Sequence, residues 1–552
     1  MRPLVIALLA ALCLNAQVPR PTEVQERRLA NGARLLFVER RGLTAFHATL
    51  VFRGGRAEEP TALAGATDLL ASALFGASWP EDLDPQRTAA LDAILRQEEG
   101  LLESIRLERL RQRRDPAGVS QLPALEASLA TTQSRLKAAF ATSPLADLYA
   151  AKGGSQSAEA TADALYAHSA LPQEAFDFWC RTEAQRLKTL QLSRFSQARA
   201  ALLADLNQSG GQGLALIRGA ALPGHPYGRD LANNLPALEA LRWSELRAYA
   251  RRALSPDRLT LILVSGTPLD NLLPLVERHL GTLPVHPAGE DAVLPEIPSD
   301  LGDRRVQATH GSLTSLQVGW RIPPRSHPDH LALQVAAQLL AGGPSARLPQ
   351  RLVQQKELAR EARLRLDVPG GRLPGLLVAE VVPAEGHGLA ELERALHSEI
   401  LRLQQEPIAP EEWQRAVAQL ETGHLKVLDS PALLATTLGR AWAEGGDWRV
   451  ADREIQRLRT LGPETVQAAA RAWLRPSHRT TAWLEPTLDE GLDPLDAEIA
   501  KVLQALAATR IEDPAQREHL AAEGLRQLRM LSAEERARTL KLLKAQLAPV
   551  KP

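Results

Sequence analysis

Cysteine is almost absent: the 552 residues contain two, Cys13 and Cys180. Cys13 lies in an apolar N-terminal segment, so loss of that segment leaves one thiol and no intrachain disulfide. Cys180, in "AFDFWCRTEA", falls on a predicted helix among aromatics and reads as a buried small hydrophobe, not a nucleophile. Excess charge of either sign is also missing. Lys+Arg and Asp+Glu each number 65, which argues against the broad basic surface by which proteins hold nucleic acid or anionic membrane. Long hydrophobic runs are lacking after the N-terminus, so no integral membrane span is expected. Finally, thirteen histidines are scattered along the chain, and none forms a His-x-x-Glu-His or His-Glu-x-x-His pair of the kind that holds zinc on a helix.

What is present begins with "MRPLVIALLAALCLNAQ": one arginine, a short apolar run and the small residue Ala16. It reads as a secretory signal peptide over residues 1–16, which implies a periplasmic or secreted protein. Leu12 before Cys13 is a poor match to a lipidation site.

The remaining length is ample for several cores. "RRLANGARLLFVER" carries an Asn31-Gly32 turn between apolar runs and predicts a hairpin. "FHATLVFRGG" predicts a strand, and "AGATDLLASALFGAS" (64–78) has Leu69, Leu70, Ala73 and Leu74 at helical spacing. Residues 80–146 change character: Leu91, Ile94, Leu95, Leu101, Leu102 and Ile105 recur at helical spacing amid dense charge, "DPAGVSQLP" breaks the pattern, and a second helix follows. This predicts a helical hairpin, in the manner of a short antiparallel coiled coil, with a first arm of roughly 40 Å at 1.5 Å per residue. A Gly-rich turn with alternating strands, a long helix over 173–206 and the strand "RLTLILVSG" complete a first domain at 23–282. Proline-rich residues 283–300 read as a linker. The same order of elements then restarts in a second domain at 301–490, without the hairpin, and a charged helical extension, read as a helix pair or tail, closes the chain at 491–552.

In order and spacing, "FRGGRAEEPTALAGATDLLASALFGAS", "GGSQSAEATADALYAHSAL", "LPGHPYGRDLANNLPALEALRWSELRAYARRALSPDRLTLILVSG" and "LLAGGPSARLPQRLVQQKELAR" resemble the M16 metallopeptidase family, the pitrilysin and insulinase-like proteins. The resemblance covers residues 23 to about 487, apart from the 80–146 insertion. It implies an α+β fold of two tandem homologous α/β sandwich domains, with the hairpin inserted in the first and a helical tail after the second.

In that family the helix matching 64–78 carries His-x-x-Glu-His. Two imidazoles one turn apart hold zinc, the glutamate is general base for the metal-bound water, and a later helix supplies a distal carboxylate. Laid onto this chain, the histidine positions fall on Asp68 and Ser72, the base on Ala71, and the distal ligand on Asp205 in "FSQARAALLADLNQ". The imidazoles and the base are gone, so no catalytic residue and no bound metal are expected, and zinc is expected only in the family's active members. Asp68 with Asp205 could in principle hold a hard cation weakly. The family's oxyanion-stabilising arginine and tyrosine positions fall on Val353 and Arg360, within the predicted helix "QRLVQQKELAREA". Arg351 or Arg360 could present a cation to a substrate carbonyl, Arg360 being the substrate-binding candidate. His225, in "GHPYG", is by resemblance a structural turn residue, and His387 a loop residue.

Three readings follow. The chain is a non-catalytic subunit that binds extended peptide and pairs with a zinc-bearing M16 homologue. Or it is a stand-alone binding or scaffold protein working through the hairpin. Or it is an active peptidase with unusual ligands, against which the loss of the base alone weighs about 10²–10⁴ in rate.

Overall fold

In the computed structural model the described residues are 23–75, 85–115, 119–139, 145–190, 192, 194–208, 212–286, 302–309, 314–485, 494–508, 514–529 and 533–547. The expected leader, with Cys13, and residues 287–300 of the expected linker lie outside them.

The first half contains β1 (Val24–Arg28), β2 (Arg34–Glu39), β3 (Ala45–Arg53), α1 (Ala66–Phe75), α2 (Pro85–Arg114), α3 (Leu122–Ala139), β4 (Ser155–Ala160) and β5 (Ala164–Pro172). It continues with α4 (Phe176–Thr189), α5 (Phe195–Gln208), α6 (Gln212–Ala221), α7 (Trp243–Ala253) and β6 (Leu259–Ser265). The second half contains β7 (Arg304–Thr309), β8 (Ser315–Ile322), α8 (His330–Ala341), β9 (Ala359–Val368), β10 (Gly375–Pro383), α9 (Leu389–Gln405), α10 (Pro410–Asp429), α11 (Pro431–Gly445), α12 (Pro463–Trp473) and β11 (Arg479–Glu485).

Two sheets result, in the orders β1-β2-β6-β3-β5-β4 and β7-β11-β8-β10-β9. With the edge strand β1 set aside, the wiring is the same. The first strand lies parallel to the last (β2 on β6, β7 on β11). The last then pairs antiparallel with the second (β6 on β3, β11 on β8). The fourth lies between the second and the third, antiparallel to both. One connectivity used twice is what an internal duplication predicts.

The central strands are covered along their whole length: all seven residues of β6 and all eight of β8 are buried. A strand is buried this way when both faces of its sheet are covered. Each sheet packs one face on its own helices, which form the two main cores. The opposite face takes a helix from the other half. Leu434, Ala435, Leu438 and Ala443 of α11 lie on Leu36, Val51, Tyr166 and Ile262 of the first sheet. Ile217 and Ala221 of α6 lie on Leu376, Val378 and Ala482 of the second. Gly439 sits at the first of these contacts; a Cβ there would lie 2.9 Å from Val51 Cγ2.

Three expectations are corrected. The single helix over 173–206 is a 3-10 turn (Gln173–Ala175) followed by α4 and α5. Leu190 adopts a left-handed conformation, φ 47°, so that Leu190 and Leu192 can enter the core. The predicted helix "QRLVQQKELAREA" is helical only over Pro349–Gln355. The chain turns at Glu357, φ 53°, and "AREA" begins β9. The tail is not a pair: helices α13 (Pro494–Ala508), α14 (Pro514–Arg529) and α15 (Ala533–Leu547) share a small apolar core of their own, with Ile499, Leu525 and Leu540 inside.

The hairpin expected over 80–146 appears as α2 against α3. The 30 residues of α2 span about 45 Å. Leu91, Leu95 and Leu136 anchor its base in the first core. Arg247 pairs with Asp92 at 2.5 Å, and Ser244 donates to Glu99 at 2.6 Å, tying that base to α7. Towards the tip the two arms are joined by Arg109–Glu126 at 3.2 Å.

Candidate functional site

Helix α1 forms because its apolar positions, Leu69, Leu70, Ala73 and Leu74, all face the first core with no measurable exposure. Its N-terminus is satisfied by a side chain from before the helix. The buried carboxylate of Glu59 accepts from Gly65 N at 2.9 Å and Thr67 N at 2.6 Å. Such orphan N–H groups otherwise need a cap or water. Burial pushes the Glu59 carboxyl up to about 7 against the opposing effect of those hydrogen bonds, and neighbouring Asp68 pushes the same way. The Thr67 hydroxyl meets Tyr249 Oη at 3.1 Å.

The positions that carry zinc chemistry in the resembling family are otherwise engaged. Asp68 is held bidentately by Arg56, Nε to Oδ2 at 2.8 Å and Nη2 to Oδ1 at 2.6 Å. Ser72 is exposed, and its hydroxyl turns back on the helix carbonyls of Asp68 and Leu69, both at 3.4 Å. Ala71 is half-buried and packs against the core. Asp205 is exposed on α5, which packs against α1. Among the described residues no group of three or more His, Cys, Asp or Glu side chains is placed to hold a metal ion. Zinc does not fit this donor set: one carboxylate bound to a guanidinium, a back-bonded hydroxyl and a methyl group replace two imidazoles and a base.

The opposite-half element differs from expectation as well. Arg360 lies exposed on edge strand β9, not on a helix. Arg351 pairs with the buried Glu399 at 3.2 Å, and Val353 packs on the second core. His225 does cap a turn: its Nδ1 accepts from Tyr227 N at 3.1 Å, and burial pushes its imidazole down to about 4. His387 meets Glu391 at 2.9 Å. Cys180 is fully buried, and burial pushes its thiol well above the ordinary range.

Sequence reasoning missed how residues 54–59 organise this region. Arg56 N and Ala57 N donate to Thr161 O and Ala162 O, docking the β4–β5 turn. Next to it, buried Asp163 accepts from Gly371 N at 3.0 Å and Arg372 N at 3.2 Å, both from the second half, and from the hydroxyl of Tyr227. The same hydroxyl accepts from Leu373 N at 3.2 Å. Glu58 lies between Arg258 and Arg372, which hold its carboxyl below the ordinary range despite burial. The grip on Asp68, the cap on α1 and the clamp between the halves therefore run through one short segment. The only sequence signal for it is the density of charge in "RAEE" followed by a small-residue helix.

Twin sheets of identical wiring, each backed by helices and closed by a helix from its partner, define a two-domain M16-type peptidase fold. Residues 243–420 match the family model described as the peptidase M16 inactive domain. Among curated proteins, an uncharacterized zinc protease of Mycobacterium leprae is 24% identical over 255 residues, 45% of this chain and 55% of that protein. The chain thus spans about half the length of that relative. Among solved structures, a protease from Helicobacter pylori superposes with a TM-score of 0.68 at 14% identity, over 85% of this chain and 100% of that one. The first half of the periplasmic protease PqqL from Escherichia coli gives 0.59 at 13% identity, over 93% and 97%. The chain is an M16-like protein, and the family's zinc-binding motif is absent from its sequence.

Proposed function

We propose that this protein is a non-catalytic M16-type subunit that holds extended peptide and works with a zinc-bearing homologue. The observation that carries the reading is the Arg56–Asp68 pair. A residue at a zinc-ligand position is committed to a guanidinium, next to a methyl group at the position of the base, while the scaffold around both is kept. Retention of the fold without its reaction chemistry fits a role in binding and assembly. The exposed edge strands β4 and β9 offer a backbone ladder to an extended peptide by strand addition. The apolar leader supports export to the periplasm or beyond, and no helix among the described residues is long and apolar enough to cross a membrane.

The test is to purify the full mature chain, measure zinc by mass spectrometry, and mix it with an M16 homologue from the same genome that has an intact His-x-x-Glu-His. Sub-stoichiometric zinc, a stable complex and altered peptide cleavage by the partner are expected. One zinc per chain, or no complex and no change in cleavage, overturns the reading.

One observation favours a second reading, a scaffold that acts through the hairpin: Leu107, Leu110 and Val119 are exposed near its tip. If this reading holds, deletion of residues 82–145 abolishes partner binding while the body stays folded. Under the subunit reading the deletion leaves binding in place.

A further inference from the structure

The seam between the halves holds a cavity of about 470 Å³ at the end of the first sheet where β2 and β6 begin and β1 and β3 end. Its wall carries five arginines, Arg28, Arg34, Arg53 and Arg258 from the first half and Arg372 from the second, together with Trp442. The carboxylates on the same wall are Glu58 and Asp257. Glu26, behind Arg34, offsets one further charge. The wall therefore keeps an excess of positive charge in a protein whose overall charge is zero.

The commitments of these arginines differ. Arg258 and Arg372 share Glu58. Arg34 pairs with Glu26 and stacks on Trp442, its Cζ 4.0 Å from the ring centre. Among the described residues Arg53 has no carboxylate within ion-pair distance; its Nε donates to a carbonyl, Ala443 O, at 3.2 Å. Burial first, then Arg372 and Arg258, disfavour its charge, and Glu58 and Asp163 offset this only in part. A half-buried guanidinium that faces two others and bonds only to a neutral acceptor is stabilised by an anion. Guanidinium forks match oxyanion geometry bidentately, and a cavity of this volume lies within the ~300–1,000 Å³ common for small-molecule sites.

We propose that this seam cavity binds an oxyanion, phosphate or carboxylate, with Arg53 and Arg372 as its principal donors and Arg28 at its mouth. Because the donors come from both halves, the bound anion bridges them. The proposal is independent of the subunit reading and would stand in a protein with no partner.

The experiment is thermal unfolding and titration calorimetry of the full chain with inorganic phosphate, against sodium chloride at equal ionic strength. A parallel arm uses a short acetylated peptide with a free C-terminal carboxylate against its amide, to distinguish a free phosphate from a peptide terminus. Phosphate, or the free-acid peptide, is expected to raise the melting temperature beyond the chloride control. Arg53→Gln and Arg372→Gln are each expected to weaken binding at least tenfold. Arg53→Gln removes a half-buried charge and keeps a side-chain donor for Ala443 O, so it should fold about as stably as the parent and its loss of binding is not a loss of fold. Stabilisation no greater than with chloride in both arms, or equal binding by the parent and both variants, overturns the proposal.

Discussion

Replacing Asp163 by alanine tests the clamp between the halves. The wild-type carboxylate is 2% exposed and receives three donors: Gly371 N, Arg372 N and the Tyr227 hydroxyl. Removing one partner from a buried hydrogen bond costs about 1–3 kcal/mol for each polar group left unsatisfied. Three donors lose their acceptor together, but water can enter the space the carboxylate vacates. The expected loss is therefore about 3–5 kcal/mol, a large share of the roughly 5–15 kcal/mol that holds a typical native protein. Tyr227→Phe removes one donor to Asp163 and the acceptor of Leu373 N, and should cost about 1–2 kcal/mol. The two changes share an interaction, so the double variant should lose less than the sum, by about 1 kcal/mol. Urea denaturation of the single and double variants measures the energies. Amide hydrogen exchange at Gly371, Arg372 and Leu373 reports whether the turn has come free. A loss below 1 kcal/mol in Asp163→Ala, or unchanged protection at Gly371 and Arg372, would refute the assignment of Asp163 as the clamp.

Three further outcomes are expected. Gly439→Ala places a methyl 2.9 Å from Val51 Cγ2 and 3.4 Å from Ile262 Cδ1, so overpacking of about 1–3 kcal/mol outweighs the roughly 1 kcal/mol gained in helix propensity, and the melting temperature falls. Glu59 binds its proton more tightly folded, at about 7, than unfolded, near 4.5. Its contribution is therefore full below about pH 4.5 and is lost as pH rises towards 7, a decline of about 3 kcal/mol that Glu59→Gln should flatten in a pH series of denaturation curves. Arg360→Ala, at an exposed strand edge, should change stability by no more than about 0.5 kcal/mol, and an unchanged affinity for extended peptide would remove it as a binding residue.

The fold was legible because duplication and burial leave periodic marks. The apolar-rich "LTLILVS" and the alternating "SLQVGWRI" announce strands, and Asn31-Gly32 announces the β1–β2 turn. Elements shaped by long-range packing were not legible. The break at Leu190 carries no glycine or proline and follows from two leucines turning into the core. The unwinding at Glu357 likewise answers to the pairing of β9 with β10. At the site, the absence of imidazoles could be read directly from "TDLLAS". Where Asp68 goes could not, because Arg56 is twelve residues away and reaches it only after an intervening turn folds. The seam is less legible still: Asp163 and Gly371 are 208 positions apart, and each looks like an ordinary hairpin residue.

The crossed helices have a consequence for how such a protein can be divided. Without α11 the first half would present Val51, Tyr166 and Ile262 to water, and without α6 the second would present Leu376, Val378 and Ala482. Neither fragment is a complete solution to its own burial problem, so each is a ready receptor for the other. A chain severed between residues 286 and 302 should yield two insoluble or molten pieces when made separately and one native body when they are made together. The interlock makes this M16-like protein a natural split reporter, and it depends on neither Asp68 nor Ser72.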